Sequence, residues 1–286
     1  MTRIVYVNGR YLPYADAGVH VEDRGFQFAD AVYEVCEIHG GSLVDEDRHL
    51  ARLSRSLTEL AIRAPMSDRA LRRVIRETIR RNRVHDGMLY LQVSRGAAPR
   101  DFAFPGADVT PTLVCLARSM SPARQAAQAE TGIAVVTIPD IRWGRSDIKT
   151  VMLLPACIAK DTARRSGAKE AWLVDRAGLV TEGASSNAWI VTGDGRLVTR
   201  ALGHDILPGV TRATVLDAID REGMAVEERA FTPAEARAAR EAFVTSATNT
   251  VMPVTTIDGV PVGDGRPGPV AARLRRVFRD VARRST

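Results

Sequence analysis

Near the start of the chain two short apolar runs, Ile4-Val5-Tyr6-Val7 and Arg10-Tyr11-Leu12, flank Asn8-Gly9. That pattern predicts two strands joined by a two-residue hairpin. Residues 31–38 are a further strand candidate, closed by Gly40-Gly41. The period then lengthens: Leu50, Leu53, Leu57 and Leu60 share one helical face over about residues 47–62. A second helix is predicted where Leu71, Val74, Ile75 and Thr78 interleave with arginines at 69, 72, 73, 76, 80, 81 and 83. Strands over residues 88–93 and 113–117 complete this first set.

Residues 119–130 are polar and alanine-rich, and are read as a linker between a domain of residues 1–118 and a larger one of residues 131–286. The second set opens with a strand over residues 133–138, and the segment around Lys149 runs into a helix ending near Ser166. Strand candidates follow at 171–174, 188–191 and 197–199, with Asp194-Gly195 as the turn between the last two. A helix over 211–222, a strand over 242–245 and a terminal helix from about residue 270 close the domain. In that last helix Leu274, Val277, Phe278 and Val281 recur at i, i+3, i+4, i+7, the spacing of a core-facing stripe.

Composition narrows the class. The 286 residues suffice for one large or two smaller domains, and 45% hydrophobic with 26% charged residues is ordinary for a globular protein. No run approaches the ~18 apolar residues of a membrane span, and no secretory signal core is seen, so no membrane partner is expected. Cys36, Cys115 and Cys157 form no CxxC pair. They are expected as reduced core residues of a cytoplasmic protein, with no metal bound. The net charge of +6 raises nucleic-acid binding, but the arginines of residues 69–83 read as the wet face of an amphipathic helix. An aromatic content of 5% argues against base stacking, so no nucleic-acid partner is expected.

Candidate chemistry starts from a lysine. Only three of the 40 basic residues are lysines, at 149, 160 and 169, and a primary amine does chemistry that guanidinium cannot. Lys149 lies in Asp147-Ile148-Lys149-Thr150-Val151-Met152-Leu153-Leu154, where burial would favour the nucleophilic free amine. Downstream, Thr181-Glu182-Gly183-Ala184-Ser185-Ser186-Asn187 sets one carboxylate among small residues. A Schiff-base lysine plus an acid facing a ring nitrogen is what pyridoxal phosphate requires. Leu207-Pro208-Gly209-Val210-Thr211-Arg212 opens a predicted helix, where backbone N–H groups and the dipole favour a phosphate. Singly, these are a lysine stem on apolar surface, a loop carboxylate and a Pro-Gly turn. Together and in this order they suggest a cofactor site.

Asp147-Ile148-Lys149, Glu182-Gly183-Ala184-Ser185-Ser186-Asn187 and Gly209-Val210-Thr211-Arg212 resemble the motifs of fold-type IV pyridoxal-phosphate enzymes. That family includes D-amino-acid aminotransferases, branched-chain aminotransferases and aminodeoxychorismate lyases. The similarity runs from Tyr6-Val7-Asn8-Gly9 to Val254-Thr255-Thr256-Ile257-Asp258-Gly259. It implies an α/β fold: an α+β small domain, then a larger α/β domain carrying the cofactor lysine. Lys149 matches the Schiff-base lysine that also moves the substrate Cα proton, and Glu182 the partner of the pyridine nitrogen. Arg52, in His49-Leu50-Ala51-Arg52-Leu53, matches the phosphate arginine. Val210 and Thr211 are implied to give backbone N–H groups to the phosphate, and Leu207 to pack on the ring. The family's phosphate-binding threonine falls on Ala247 in Thr245-Ser246-Ala247-Thr248-Asn249, which passes that part to Thr248.

Substrate choice is implied by the first half. Phe28-Ala29-Asp30-Ala31-Val32-Tyr33-Glu34-Val35 and Tyr90-Leu91-Gln92-Val93-Ser94-Arg95-Gly96-Ala97-Ala98-Pro99-Arg100 resemble the D-amino-acid enzymes. There an arginine matching Arg100 binds the substrate carboxylate, reaching across from the other subunit of a homodimer, with a tyrosine matching Tyr33. Phe102 stands where the family has a histidine, so one donor of the carboxylate trap is missing. The implied reaction is ping-pong transamination of D-amino acids such as D-alanine or D-glutamate with a 2-oxoacid such as 2-oxoglutarate or pyruvate. Phe102 predicts weaker binding of those donors and a more permissive pocket. The alternatives are a branched-chain L-amino-acid aminotransferase, an (R)-amine transaminase, an aminodeoxychorismate lyase and, remotely, a basic nucleic-acid-binding protein.

Overall fold

The computed structural model describes residues 3–283. The chain divides into two compact units: residues up to 122 with 148–152 and 283, and residues 123–147 with 153–282.

The first unit is built on a six-stranded antiparallel sheet of β1 (Ile4–Val7), β2 (Arg10–Pro13), β3 (Ala31–His39), β4 (Ser42–Leu43), β5 (Gly87–Ser94) and β6 (Thr112–Ser119). The order is β2-β1-β6-β5-β3-β4. The predicted hairpin is present, with Asn8 and Gly9 at φ 44° and 92°, the left-handed pair that suits the twist of the strands. A one-turn helix, α1 (Arg24–Phe28), precedes β3, and its N-terminus is capped by the Asp23 carboxylate. Helices α2 (Glu46–Glu59) and α3 (Asp68–Asn82) pack on the sheet. They bury Leu50, Leu53 and Leu57 on one and Leu71, Val74, Ile75, Thr78 and Ile79 on the other, the stripes that periodicity predicts. Leu60 falls just outside α2 as its C-cap. The arginine-rich face of α3 is exposed, and Arg80 and Arg81 are already paired with Glu77.

Residues 119–130 do not form an open linker. They are the end of β6 and most of α4 (Pro122–Thr131), whose alanines and glutamines favour helix, and Ala129 packs on the second core. The second unit continues with β7 (Ile133–Pro139), α5 (Leu154–Arg165), β8 (Glu170–Val174), β9 (Val180–Gly183), β10 (Asn187–Val191) and β11 (Leu197–Thr199). Then come α6 (Val210–Arg221), β12 (Val226–Glu228), α7 (Pro233–Arg237), β13 (Glu241–Ser246), β14 (Thr250–Ile257), β15 (Val260–Pro261) and α8 (Pro269–Val281). Its nine-stranded mixed sheet runs β12-β11-β10-β13-β14-β7-β8-β9, with β15 on β14. Trp172 and Phe231 meet edge-on in the core, at 5.9 Å between ring centres. Of the three cysteines, Cys36 and Cys115 are buried as expected, whereas Cys157 is exposed rather than in a core. Leu274 and Phe278 bury one face of α8. Its N-terminus is capped from another strand: Val270 and Ala271 N–H groups each donate to the buried Glu241 carboxylate at 3.0 Å.

Candidate active site

In the first unit, residues 148–152 return to the end of β3. Tyr33 N–H donates to Lys149 O at 3.0 Å, Val151 N–H to Ala31 O at 3.1 Å, and Lys149 N–H to Ser56 Oγ at 3.4 Å. Lys149 is thus clamped by its main chain between β3 and α2, while its half-buried side chain sets Nζ 4.3 Å from the centre of the Tyr33 ring. Tyr33 in turn stacks on Tyr90 at 5.7 Å.

Arg52 lies one turn before Ser56 on α2. Its fork grips Glu34, with Nε to Oε1 at 2.8 Å and Nη2 to Oε2 at 2.7 Å. His49 Nδ1 is 2.8 Å from the same Oε2. All three are buried. Burial pushes the Glu34 carboxyl up, but the Arg52 charge and hydrogen bonds outweigh it and hold the acid down at about 2. Burial also lowers His49, against the pull of Glu34. Glu34, Cys36 and His49 place three potential metal ligands within 4.8 Å of one another. A cation there would have to displace the guanidinium and ionise a thiol that burial pushes well up. Arg100 and Phe102 form their own group around Phe28, with the Arg100 guanidinium 5.1 Å and 5.6 Å from the Phe28 and Phe102 ring centres.

In the second unit Glu182 sits on β9, just before a tight turn in which Gly183 N–H donates to Ser186 O at 2.7 Å. A Cβ at Gly183 would meet Ser186 Oγ at 2.2 Å, so the turn needs glycine. The buried Glu182 carboxylate accepts from Arg142 Nη1, from Asn187 Nδ2 at 3.0 Å and from Leu207 N–H at 3.1 and 3.2 Å. Arg142 also donates to Asp140 at 2.7 Å and to Asp205 O at 3.0 Å. Burial works against the Arg142 charge, but its bonds to Asp140 and the charge of Glu182 prevail and raise its pKa. The same guanidinium lowers Asp140 against the effect of burial.

Asn187 joins these groups to the start of α6. Its Nδ2 also donates to Leu207 O at 3.0 Å, and a Cβ on Gly209 would lie 2.0 Å from its Oδ1. Gly209 is therefore required for Asn187 to bridge Glu182 and the helix start. Among the described residues no side chain caps α6, whose first residues are Val210 and Thr211, and an uncapped helix start suits an anion. Asn187 pairs with Thr245 across β10 and β13, and β13 leads into the loop of residues 247–249 that carries Thr248. One end of this sheet thus brings Glu182 and Leu207 to the start of α6, whereas the described contact of Thr248 is its carbonyl accepting from Gln125 Nε2.

Arg142 and Arg145 both lie just before Lys149 in the sequence. Arg142 turns to Glu182, whereas Arg145 pairs with Asp147 at 2.9 Å. The sequence does not announce Glu34 and His49 as partners of Arg52. The one local signal was helical spacing, since His49 and Arg52 lie one turn apart.

Residues 31–257 match the family model for amino-transferase class IV, and the chain belongs to that family. It is a pyridoxal-phosphate-dependent aminotransferase with the fold-type IV architecture. Among its relatives, the D-alanine aminotransferase of Bacillus licheniformis is 39% identical over 276 residues, covering 96% of both chains. That of Staphylococcus haemolyticus is 36% identical over 274 residues, again covering 96% of each. Among solved structures, a T.th. branched-chain amino acid aminotransferase with pyridoxamine 5'-phosphate gives a TM-score of 0.89 at 25% identity, covering 98% of this chain and 94% of that one. The Escherichia coli branched-chain enzyme shares the fold, with a TM-score of 0.88 at 24% identity over 98% and 94% of the two chains. Within each unit the residues suit the cofactor: a primary amine at Lys149 in the first, and in the second a carboxylate backed by an arginine at Glu182 and a helix start opened by a glycine.

Proposed function

We propose that this aminotransferase moves the amino group of D-amino acids, of the D-alanine and D-glutamate type, to a 2-oxoacid such as 2-oxoglutarate or pyruvate in ping-pong half-reactions. The observation that carries the reading is the end-to-end similarity to D-alanine aminotransferases, 39% identical in one case. Bound pyridoxal phosphate supplies the carbon that accepts the amino group and the electron sink that makes the substrate α-proton acidic. Lys149 would hold the cofactor through its amine, and the same amine would carry the substrate Cα proton. Glu182, oriented by Arg142, Asn187 and the Leu207 N–H, would meet the ring nitrogen. The N–H groups of Val210 and Thr211, the Thr248 hydroxyl and Arg52 would hold the phosphate, and Leu207 would cover the ring. Arg52 enters this part already committed to Glu34 by two hydrogen bonds.

Arg100 binds the substrate carboxylate, assisted by Tyr33 and bordered by Phe102. We assign it to the partner's site in a homodimer. In support, the loop carrying it exposes Phe102 (81%) and Phe104 (65%), apolar surface that a second copy would cover. The free thiols of Cys36, Cys115 and Cys157 support a reducing, cytoplasmic setting. Among the described residues no helix is long and apolar enough to cross a membrane.

The test is the visible spectrum of the holoenzyme during separate additions of D-alanine and L-leucine. Loss of the cofactor band with D-alanine alone, restored by 2-oxoglutarate, is expected. Bleaching by L-leucine alone would move the enzyme to the branched-chain group. A second expectation concerns Phe102→His, which restores a hydrogen-bond donor for the carboxylate. The KM for D-alanine should fall about tenfold, the worth of one hydrogen bond to a charged group. An unchanged KM removes Phe102 from the account of substrate affinity.

A further inference from the structure

Two buried arginines have no part in the reaction proposed above. Arg24 and Arg95 are 2% and 8% exposed, and both bind one carboxylate, Asp30. Arg95 reaches it through Nε at 2.7 Å and Nη2 at 3.0 Å, and Arg24 through Nε at 2.8 Å. Two guanidiniums on one aspartate leave a surplus positive charge away from water, which is costly unless further acceptors meet it. Arg95 finds them at the end of α2, donating to Leu60 O at 2.7 Å and Ala61 O at 2.9 Å. Arg24 finds its acceptor elsewhere: Nη1 donates to the carbonyl of Asp101 at 2.7 Å.

Asp101 directly follows Arg100, so this bond pins the Asp101–Phe102 peptide, one residue beyond the backbone that carries the Arg100 side chain. The same cluster grips the loop at other points. Arg24 N–H donates to Gly96 O at 2.9 Å where the loop begins, and the Arg95 guanidinium lies 3.9 Å over the Phe104 ring further along. The Arg24 guanidinium also lies 4.6 Å from the centre of Phe28, the ring that Arg100 meets at 5.1 Å. Asp101 turns its carboxylate into the loop, where Oδ1 accepts from Ala103 N–H at 3.1 Å. Among the described residues Arg100 meets aromatic faces and no carboxylate, which leaves its fork for a ligand.

We propose that Arg24, anchored by Asp30 and Arg95, is the positioning residue for Arg100, pinning the Asp101–Phe102 peptide that follows it so that its guanidinium is presented to the substrate carboxylate. This rests on the reading of Arg100 given above. Arg24 touches neither substrate nor cofactor; it acts through the loop. A buried ionic anchor suits the task, because a guanidinium on a mobile loop loses much of its bidentate advantage when the loop wanders.

The test uses the holoenzyme and the concentration dependence of its half-reaction with D-alanine and with D-alaninamide, which lacks the carboxylate. Arg24→Lys keeps a charge beside Asp30 but has no fork to hold Asp30 and Asp101 O together. It should weaken D-alanine roughly tenfold and D-alaninamide less than about twofold, with the cofactor band and melting temperature close to those of the parent. Should that variant fold poorly, Asp30→Asn, which loosens the anchor from the other side, is expected to give the same split. Equal weakening of both substrates shows a merely structural role and overturns the proposal, as does no change in either. Arg100→Met separates the two levels of failure. If it discriminates D-alanine from D-alaninamide while Arg24→Lys does not, the anchor alone is overturned. If Arg100→Met does not discriminate them, the assignment of Arg100 falls and the anchor with it.

Discussion

Lys149→Ala is expected to abolish transamination while leaving the protein folded. Three hydrogen bonds that tie the segment to β3 and α2 use its main chain: Tyr33 N–H to Lys149 O, Val151 N–H to Ala31 O and Lys149 N–H to Ser56 Oγ. Alanine keeps all three. The side chain contributes its position over Tyr33, a cation–π contact worth about 0.5–1 kcal/mol at a half-exposed site, or a few degrees in melting temperature at most. The catalytic loss is far larger. Proton transfer by a positioned group is worth about 10²–10⁴ in rate, and the covalent attachment of the cofactor is lost as well. The checks are kcat, the visible spectrum after adding pyridoxal phosphate, and the melting curve. Activity kept within tenfold of the parent would remove Lys149 from the mechanism.

How much of this could be read from the chain depends on the range of each interaction. The Asn8-Gly9 hairpin, β3, α2 and α3 are legible because a period or turn dipeptide a few residues long specifies each. β14 is not, because it carries Pro253, which argues against an inner strand. In the structure Pro253 precedes the first β14–β7 pair, Val254 with Ile133, so its missing N–H lies outside that ladder. Residues 181–187 read as small residues turning around a carboxylate, whereas Glu182 is on a strand, β9, and the turn begins after it. The return of residues 148–152 to the first sheet is a single bridge, Val32 with Thr150, too short to leave a period.

The same holds for the site. Lys149, Glu182 and the Gly209 helix start stand out in the sequence because their chemistry is local: an amine, an acid and an opened N-terminus. The partners of those groups are long-range. Nothing near Arg142 announces that it will meet Glu182 forty positions on while Arg145 meets its neighbour Asp147. Likewise Arg52 reads as an exposed helix arginine or a phosphate ligand until β3 brings Glu34 against it. A charge is visible in a sequence, but its counter-charge is chosen by the fold.

That pairing makes Arg52→Met the other substitution with a large expected effect, this time on stability. Glu34 is 1% exposed, and its carboxylate is held at about 2 against an ordinary 4.5, because the pull of Arg52 outweighs burial. A carboxyl lowered on folding stabilises the protein above its unfolded value, and that contribution is lost as the pH falls from about 4.5 through about 2. The shift corresponds to roughly 3 kcal/mol at neutral pH. Removing Arg52 strands a buried anion, which costs about 3–5 kcal/mol, or roughly 10 °C in melting temperature. The pH dependence should also change sign. Without the guanidinium, burial dominates and raises Glu34 above its unfolded value, so the folded variant takes up a proton and is more stable at pH 5 than at pH 7.5. Melts of the parent and of Arg52→Met at both pH values, with and without pyridoxal phosphate, check this. The gap between the two proteins should narrow at pH 5 in the cofactor-free samples. Parallel curves there would mean that Glu34 does not depend on Arg52 for its charge, and a gap seen only with cofactor would assign Arg52 to the phosphate alone.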